Sequence, residues 1–512
     1  MVCLVLLVGC GWNGCGGNPA QTTGVPPIPD PIDFEKLRPQ VVAFCAACHE
    51  MPRPDRFPKD AWAQEVDQGF DFYYKLDALA RKAIPKPPAK RLVREFFRQQ
   101  APDHLQFEKT ESSPSKIEFA KTQVVIPGKT GGANPGVANL AWLRRRGDPS
   151  AMSLYVSDMG TSIHQEIQFA DATAKLKARQ SVGFPCHTCV TDLFVKGEFG
   201  CVVADLGSLL PEDHARGRVM WVDRGSRMHV LAKGVGRVTD VQVADFDGDG
   251  DQDLVAAVFG WRTTGKIILL RRKNQPNLAP EEAFQVEQID PRHGCIHVPV
   301  VDINEDGKPD FVALLSQEHE SIVAFVNDGR GKFKARPLYK ADSPSFGSSG
   351  IQMVDMNGDK RVDVLYSNGD TYDSFHLKPY HGIRWIENRG KQPWKEHFVA
   401  IMPGVHRALA SDLDGDGDLD IAACALIPIK MLVDGTSRRL DSLIWLEQVK
   451  GGQYKRHVLE RDSPRHATME VADFDADGDP DLAVGYHAGQ GDKTQTSVTI
   501  WWNQRIKTTT GQ

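Results

Sequence analysis

Residues 245–253 read DFDGDGDQD, and four later segments of the chain repeat the pattern D-x-[D/N]-x-D-x-x-x-D. The starts of the five segments are separated by 57, 53, 57 and 61 residues. Each segment follows a run of β-type residues such as VTDVQVAD and precedes another such as DLVAAVF. An internal repeat of this length is typical of an array of small β-sheets. The segments begin at Asp245, Asp302, Asp355, Asp412 and Asp473.

Each period holds four candidate strands, two of which flank the acidic segment. The third strand carries an aromatic signature, as in IRWIEN (383–388), LIWLEQ (443–448) and VTIWWNQ (498–504). The fourth strand is amphipathic, as in residues 395–400. Four antiparallel strands per period make one blade of a β-propeller.

Two degenerate copies of the repeat precede the first acidic segment. Counting back twice by 53 residues from Asp245 leads to Asp192 and Asn139, which are followed by β-type runs but not by acidic loops. The sequence therefore predicts a mainly β fold with a seven-bladed propeller over residues 115–512. The seventh blade lacks a fourth strand of its own. We expect the segment 116–126 (KIEFAKTQVVI) to close the ring there, which removes two open edges.

The acidic segments crowd carboxylates so closely that we expect a cation to neutralise them. Carboxylates about 5 Å apart repel by about 3 kcal/mol per pair at an effective dielectric constant of about 20. Oxygen ligands at alternate positions suit the flexible shell of calcium better than the rigid octahedron of magnesium. The pattern is not that of an EF-hand, because the twelfth position is never Glu. The predicted calcium ligands are Asp245, Asp247, Asp249, Asp253, Asp302, Asn304, Asp306, Asp310, Asp355, Asn357, Asp359, Asp363, Asp412, Asp414, Asp416, Asp420, Asp473, Asp475, Asp477 and Asp481.

These acidic loops resemble those of the FG-GAP/VCBS repeat family over residues 115–504. The resemblance implies a propeller with calcium in the loop between the first two strands of a blade. It does not fix a function, because members of the family include adhesins, receptor ectodomains and lyases.

The first ten residues, MVCLVLLVGC, predict export. The apolar run ending at Cys10 resembles a bacterial lipobox, in which the Cys is lipidated, although the usual Lys or Arg before the run is missing. A plain secretory signal cleaved before Pro19 is the alternative. Residues 11–33 are rich in Gly and Pro and suit a linker. The expected location is periplasmic or at the cell surface, with a lipid anchor in the membrane.

A CxxCH motif at Cys45-Ala-Ala-Cys48-His49 predicts covalent haem c in a small all-α, cytochrome c-like domain over residues 34–110. Two thiols at this spacing reach the two vinyl groups of one haem, and the adjacent imidazole ligates the iron. A disulfide or a zinc-binding Cys pair is the alternative. The combination with acidic repeats resembles a group of exported haem-plus-propeller proteins.

The sixth haem ligand is not evident from the sequence. No Met occurs between Met51 and Met152, and Met51 is too close to His49 to loop over the ring. His104 is a candidate, with an open sixth position as the alternative. A second CxxC pair, Cys186-His-Thr-Cys189, is not a haem motif, because Val190 stands where His is required.

Several polar residues are predicted to meet at the mouth of the propeller channel. Residues just before the first strand of a blade surround this mouth, and eleven of the sixteen histidines fall on the face opposite the acidic loops. Such a group can bind a metal, a carboxylate or a sugar. The alternative is that loops are polar anyway. The candidates are His187, Asp240, His297, Arg407 and His466.

Three functions fit these features. The first is electron transfer by the haem, with the propeller as a scaffold that docks a redox partner protein or a ligand. The second is a redox or metal-assisted enzyme that acts on a carbohydrate-type ligand, and the third is a non-catalytic surface adhesion or carbohydrate-binding protein. Whether the protein is an enzyme is left undecided. The net charge of -6 and the lack of a dense Lys/Arg tract argue against a nucleic-acid partner.

Overall fold

The computed structural model describes residues 32–505, apart from residues 77, 129–133, 147, 149, 373, 375, 428–438, 450–451 and 490–493. The described chain forms two units, residues 32–106 and residues 107–505. The predicted signal with Cys10 and nearly all of the predicted linker lie outside the described residues. Within the described chain, none of the helices has the length and apolarity that a membrane span needs.

The first unit is helical. Its core stacks Trp62 on Phe97, with ring centroids 4.1 Å apart, and packs Phe44 against Phe70 at 5.2 Å. Asp33 caps the first helix by accepting the backbone N–H of Lys36 at 3.2 Å. The elements are α1 (Phe34–Cys45), a 3₁₀ turn (Pro54–Arg56), α2 (Trp62–Lys75), α3 (Ala78–Ala83) and α4 (Lys90–Gln100).

The second unit is a propeller of seven antiparallel blades, which confirms the predicted fold. The strand that precedes the blades is β1 (Phe119–Val124). Blades 1 and 2 consist of β2 (Val137–Arg144), β3 (Met152–Asp158), β4 (Ile163–Ala170), β5 (Thr173–Ser181), β6 (Pro185–Thr191), β7 (Gly200–Asp205), β8 (Gly217–Val222) and β9 (Met228–Val235).

Blades 3 to 5 follow in the same order, with a short 3₁₀ turn before β13. Their strands are β10 (Val238–Ala244), β11 (Asp253–Val258), β12 (Lys266–Arg272), β13 (Phe284–Asp290), β14 (Cys295–His297), β15 (Val300–Val301), β16 (Asp310–Leu315), β17 (Ser321–Asn327), β18 (Phe333–Lys340), β19 (Ser348–Val354), β20 (Asp363–Asn368), β21 (Gly382–Glu387) and β22 (Lys395–Ile401).

Blades 6 and 7 complete the ring. Their strands are β23 (Val405–Ser411), β24 (Asp420–Ala425), β25 (Asp441–Val449), β26 (Gln453–Arg461), β27 (His466–Ala472), β28 (Asp481–Tyr486) and β29 (Val498–Asn503).

The ring is closed by β1, which is the outermost strand of blade 7. It pairs antiparallel with β29, from Phe119 opposite Asn503 to Val124 opposite Val498. The indole N–H of Trp502 donates to the Thr122 hydroxyl at 2.9 Å. Blade 7 is therefore built from both ends of the propeller sequence, which leaves β29 without an open edge.

The first strands of neighbouring blades lie against one another around the central channel. In every blade the pairing of the first strand with the second skips one residue near the start of the first strand, as in a β-bulge. The residue after the skip therefore occupies an equivalent position in all seven blades. These residues are Asn139, His187, Asp240, His297, Gly350, Arg407 and Thr468.

Blade 4 departs from the others, because its first strand is split into β14 and β15. The break falls at Val298 and Pro299, and proline has no backbone N–H to donate to a ladder. The Pro299 carbonyl still accepts the N–H of Val312 on β16 at 3.0 Å, so the two pieces remain attached to the same sheet.

The apolar second residue of the acidic loops in blades 3 and 7 packs between two blades. Phe246, in the loop of blade 3, lies 5.3 Å from the ring of Phe333 in blade 4. Phe474, in the loop of blade 7, lies 5.1 Å from Trp142 and 5.5 Å from Phe169 in blade 1. The acidic loops are thus part of the inter-blade core as well as of the surface.

Candidate metal, haem and channel sites

The first Asp of each acidic loop folds the loop back on itself. One of its carboxylate oxygens accepts the backbone N–H of the residue five positions later, at 2.7–3.1 Å in all five loops. That residue has a positive φ in every case, and it is glycine in four loops and Lys360 (φ 70°) in the other. This hydrogen bond closes the loop into a tight turn in all five blades that carry one.

Three of the five loops bring three carboxylates together, with one oxygen from each within 4.8 Å of the others. Asp247 and Asp475 each hold one buried oxygen that has no hydrogen-bond partner among the described residues. Converging oxygens of this kind fit a hard divalent cation. The three groups are Asp245, Asp247 and Asp253; Asp412, Asp414 and Asp416; and Asp473, Asp475 and Asp481.

The other two loops carry an Asn at the third position. The side-chain oxygens of Asn304 and Asn357 each accept the backbone N–H of the residue two positions later, both at 3.1 Å. Among the described residues, neither loop brings three carboxylates within the same distance. These two loops therefore offer fewer converging carboxylates to a cation than the other three loops do.

The ninth Asp of each loop has a structural role that the sequence pattern did not show. One of its oxygens accepts the N–H of the loop's second residue at 3.0–3.2 Å. The other accepts an N–H at the end of the third strand, at 2.7–2.8 Å. Burial raises the pKa of Asp420 and of Asp481 to about 7. The ninth Asp thus fastens the loop to the sheet, and its oxygens have further lone pairs for a cation.

The CxxCH segment begins at the last residue of α1. Cys45 is partly buried, Cys48 is exposed, and the two thiols do not form a disulfide. Burial raises the pKa of the Cys45 thiol to about 12. The ring Nδ1 of His49 lies 2.7 Å from the Glu50 carbonyl oxygen. Because a carbonyl only accepts, Nδ1 carries a proton, and in the neutral ring Nε2 then keeps a lone pair for a metal.

The structure does not identify a sixth haem ligand. His104 is exposed. Its neighbour Asp103 forms an ion pair with Lys59 at 2.8 Å. Met51 is partly buried against the helical core. His104 therefore stays a prediction.

Three of the predicted channel residues come together across three blades. The Asp240 carboxylate, 1% exposed, lies 2.9 Å from His187 Nδ1 and 3.6 Å from His297 Nδ1. It also accepts the backbone N–H of Val298 at 2.8 Å. Burial alone would raise the pKa of Asp240, but the two imidazoles hold it well below its usual range. This carboxylate therefore serves as the shared anion of two histidines.

Arg407 occupies the equivalent position in blade 6, where its guanidinium donates to the Ile351 carbonyl at 3.1 Å. Glu470 lies nearby, and the sequence prediction missed it. Burial raises the pKa of Glu470 to about 7, and the positive charge of Arg407 opposes that rise. Strand alternation could have found Glu470, because it lies two residues beyond Thr468, whose position is equivalent to that of Arg407.

His466 does not join this group. It lies two positions earlier in the repeat than the residues that line the channel. Its fully buried ring stacks on Tyr486, with centroids 5.3 Å apart, and its Nε2 lies 3.6 Å from Glu460. The offset arises because the bulge places Thr468, not His466, at the equivalent position.

One family of known repeats matches part of the propeller sequence. The FG-GAP-like repeat family matches residues 245–313 and 302–366. A T-cell immunomodulatory protein homolog from Plasmodium yoelii yoelii is 26% identical over 165 residues, which is 27% of this chain and 23% of that protein. The chain therefore spans about a quarter of the length of that relative.

Two solved structures resemble the chain at low identity. The N-terminal domain of Nup159 is 10% identical with a TM-score of 0.41, covering 78% of this chain and 100% of that structure. A lectin of Agrocybe aegerita that recognises non-reducing terminal N-acetylglucosamine is 14% identical with a TM-score of 0.39, covering 74% of this chain and 99% of that structure. The chain contains FG-GAP-like repeats and folds as a seven-bladed β-propeller.

Proposed function

We propose that this chain is an exported c-type haem protein that transfers electrons, with a calcium-stabilised propeller as its ligand-binding or docking scaffold. The observation that carries the proposal is the CxxCH segment. Cys45 and Cys48 stand three positions apart with His49 directly after them, and His49 donates its Nδ1 proton to a backbone carbonyl. That tautomer presents Nε2 as a ligand.

The residues of the helical unit have separate roles in this proposal. Cys45 and Cys48 would hold the haem by thioether bonds, and His49 would ligate it from one side. Bound haem supplies one-electron redox chemistry. The hydrogen bond from His49 to the Glu50 carbonyl fixes the ring orientation and raises the basicity of the ligating nitrogen.

The propeller in this proposal is held together by calcium in its acidic loops. The converging carboxylates and the unpartnered oxygens of Asp247 and Asp475 support this assignment. A cation there would neutralise repulsion that otherwise amounts to about 3 kcal/mol for each close pair. Because Phe246 and Phe474 in the loops of blades 3 and 7 pack between blades, neutralising these loops also stabilises the contact with the next blade.

A second candidate function is binding or turnover of a carbohydrate-type ligand in the channel. The observation that favours it is the meeting of acidic, basic and imidazole groups from several blades, at Asp240, His187, His297, Arg407 and Glu470. A polyhydroxylated ligand can use such a mixture of donors and acceptors.

Haem attachment is tested by expressing the chain together with the cytochrome c maturation machinery. The expected product is a red protein whose haem is covalently bound and changes spectrum on reduction. Cys45→Ala with Cys48→Ala should be colourless with a folded propeller. Cys186→Ala with Cys189→Ala is the matched control and should keep the colour, because that pair lacks the following His. A colourless unmodified protein would refute the proposal.

The two candidate functions are separated by following the haem absorption during titrations. Reduction by a sugar alone would indicate an enzyme, whereas reduction only by a protein partner would indicate electron transfer. Asp240→Asn should weaken sugar-driven reduction if the channel is the binding site, and Asp60→Asn, an exposed carboxylate in the helical unit, is the control.

A further inference from the structure

A cluster of two histidines and a glutamate lies in blade 4, separate from the acidic loops and the channel. His293 is in the segment between β13 and β14, and Glu318 and His319 form the turn between β16 and β17. One ligand atom from each residue lies within 4.8 Å of the other two. Loops at these positions open on the propeller face opposite the acidic loops.

The nitrogens of this cluster lack ordinary hydrogen bonds. The Nε2 atoms of His293 and His319 are both buried, and neither has a hydrogen-bond partner among the described residues. The Glu318 oxygen lies 2.8 Å from His293 Nε2, in a contact that is poorly aligned for a hydrogen bond. A buried polar atom without a partner costs about 1–3 kcal/mol, and a cation bound to His319 Nε2 would remove that cost.

The two loops that carry the cluster are fastened to each other. The Gly294 carbonyl accepts the Ser316 backbone N–H at 2.8 Å and its hydroxyl at 3.0 Å. Gly265 packs so closely that an added Cβ would lie 2.2 Å from the His293 Cβ. The backbone is therefore arranged before any ligand binds, as a functional site requires.

The turn that carries Glu318 and His319 has an unusual backbone. Gln317 and Glu320, on either side, have positive φ angles of 57° and 36°. Residues other than glycine rarely adopt such angles, and when they do the strain tends to occur at functional sites. This backbone brings ligand atoms of two adjacent residues to one place.

We propose that His293, Glu318 and His319 bind a divalent transition metal of the zinc type. Two imidazoles and one carboxylate form the three-ligand set that leaves a coordination position for water or a substrate. The mixed nitrogen and oxygen donors differ from the all-oxygen acidic loops, so this site selects a softer ion than calcium. The assignment depends neither on haem nor on calcium.

A neighbouring pair shows what a simple histidine–glutamate contact looks like in this protein. His397 Nε2 also lies 2.8 Å from a glutamate, Glu387, but there the geometry is that of a hydrogen bond. No third metal-ligating residue joins that pair among the described residues. His397 is therefore the matched control.

The test is a titration of the full, calcium-saturated chain with Co²⁺ and Zn²⁺, followed by calorimetry and visible spectroscopy. The expected result is that the chain binds one equivalent of metal tightly. The spectrum of the bound cobalt should lack a thiolate charge-transfer band, which excludes binding by the cysteine pairs. His319→Gln and Glu318→Gln should each weaken this equivalent by at least about 100-fold, since loss of an outer-shell partner alone costs 10–100-fold. His397→Gln should bind as tightly as the unmodified protein.

Two results would overturn the proposal. One is absence of a thiolate-free equivalent in the unmodified protein. The other is binding that Glu318→Gln leaves unchanged while its melting curve shows a folded propeller. Glu318→Gln keeps the size and polarity of the side chain, so it decides the matter if His319→Gln does not fold.

Discussion

The side chain of Asn503, the last residue of β29, donates to the Leu413 carbonyl of the preceding blade at 2.9 Å. The same amide donates to the Pro480 carbonyl of its own blade at 3.0 Å. Asn327 makes the equivalent pair of bonds, to Phe246 at 2.8 Å and to Pro309 at 3.0 Å. An Asn at the end of the third strand therefore links one acidic loop to the next.

Replacing Asn503 should weaken the contact between blades 6 and 7. Asn503→Ala leaves the buried Leu413 carbonyl and the partly buried Pro480 carbonyl without their donor, which is expected to lower the free energy of unfolding by about 1–3 kcal/mol. Denaturant unfolding measures this change. Gln504→Ala, at the exposed neighbour, should have little effect, and equal losses in both variants would contradict the assignment.

Neutralising one loop carboxylate should have opposite effects with and without calcium. When a chelator has removed calcium, Asp475→Asn is expected to raise the melting temperature. The reason is that the charges of Asp473 and Asp477 no longer meet a negative charge at position 475. In saturating calcium it should lower the melting temperature, and a tenfold weaker site costs about 1.4 kcal/mol. Melting curves in both conditions test the reversal, and shifts of the same sign would argue against a cation at Asp475.

The contact between blades 7 and 1 depends on Phe474. This side chain is 4% exposed and packs against Trp142 and Phe169. Phe474→Ala should destabilise the propeller by about 3–5 kcal/mol through lost burial and a new cavity. Phe398→Ala, at a residue that is 54% exposed, should change stability by less than about 0.5 kcal/mol. Denaturant unfolding of both variants gives the comparison, and similar losses would contradict it.

Glu320 should make the propeller less stable as pH rises. Burial raises its pKa from 4.5 to about 8, so between these values the folded protein holds a proton that the unfolded chain releases. The associated stability is present below about pH 4.5 and is lost toward pH 8, by about 1.4 kcal/mol per pKa unit.

Glu320→Gln tests this pH dependence. The single amide oxygen can still accept from the Ser348 backbone N–H, which lies 3.0 Å from one carboxylate oxygen, whereas the bond from the Gly347 N–H to the other oxygen, at 3.1 Å, is lost at every pH. The variant should be more stable than the unmodified protein at pH 8 and should differ less at pH 5, as measured by unfolding at both pH values. Glu282→Gln, at an exposed carboxylate, is the control, and an unchanged pH profile in Glu320→Gln would refute the argument.

The blade count was predictable because it depends on local periodicity. A spacing of 53 residues was enough to identify the two blades that lack acidic loops, and the alternation of apolar residues placed the strands. The place of β1 followed from a missing fourth strand in blade 7. Haem, calcium and export remain predictions.

The sequence alone does not show which distant loops lie next to each other, or where a β-bulge shifts a residue from its expected position. His293 and His319 are separated by β14, β15 and β16 of blade 4, and only the fold shows that their rings lie 5.1 Å apart. The sequence predicts His466 at the channel, but the strand pairing skips one residue between His466 and Thr468, so Thr468 takes that position. A repeat pattern does not show such a skip. The double role of the ninth Asp was hidden for a similar reason, because its backbone partners lie beyond the motif.

The pairing of β1 with β29 also has a consequence for the order in which the molecule forms. The Ile126 backbone N–H donates to the Ser497 hydroxyl, 371 residues away in the chain. Such distant contacts are slow to make, because the intervening chain must first be ordered. Residues 119–124 therefore have no strand to pair with until almost the entire repeat array has been synthesised. During that interval this strand can pair with other chains.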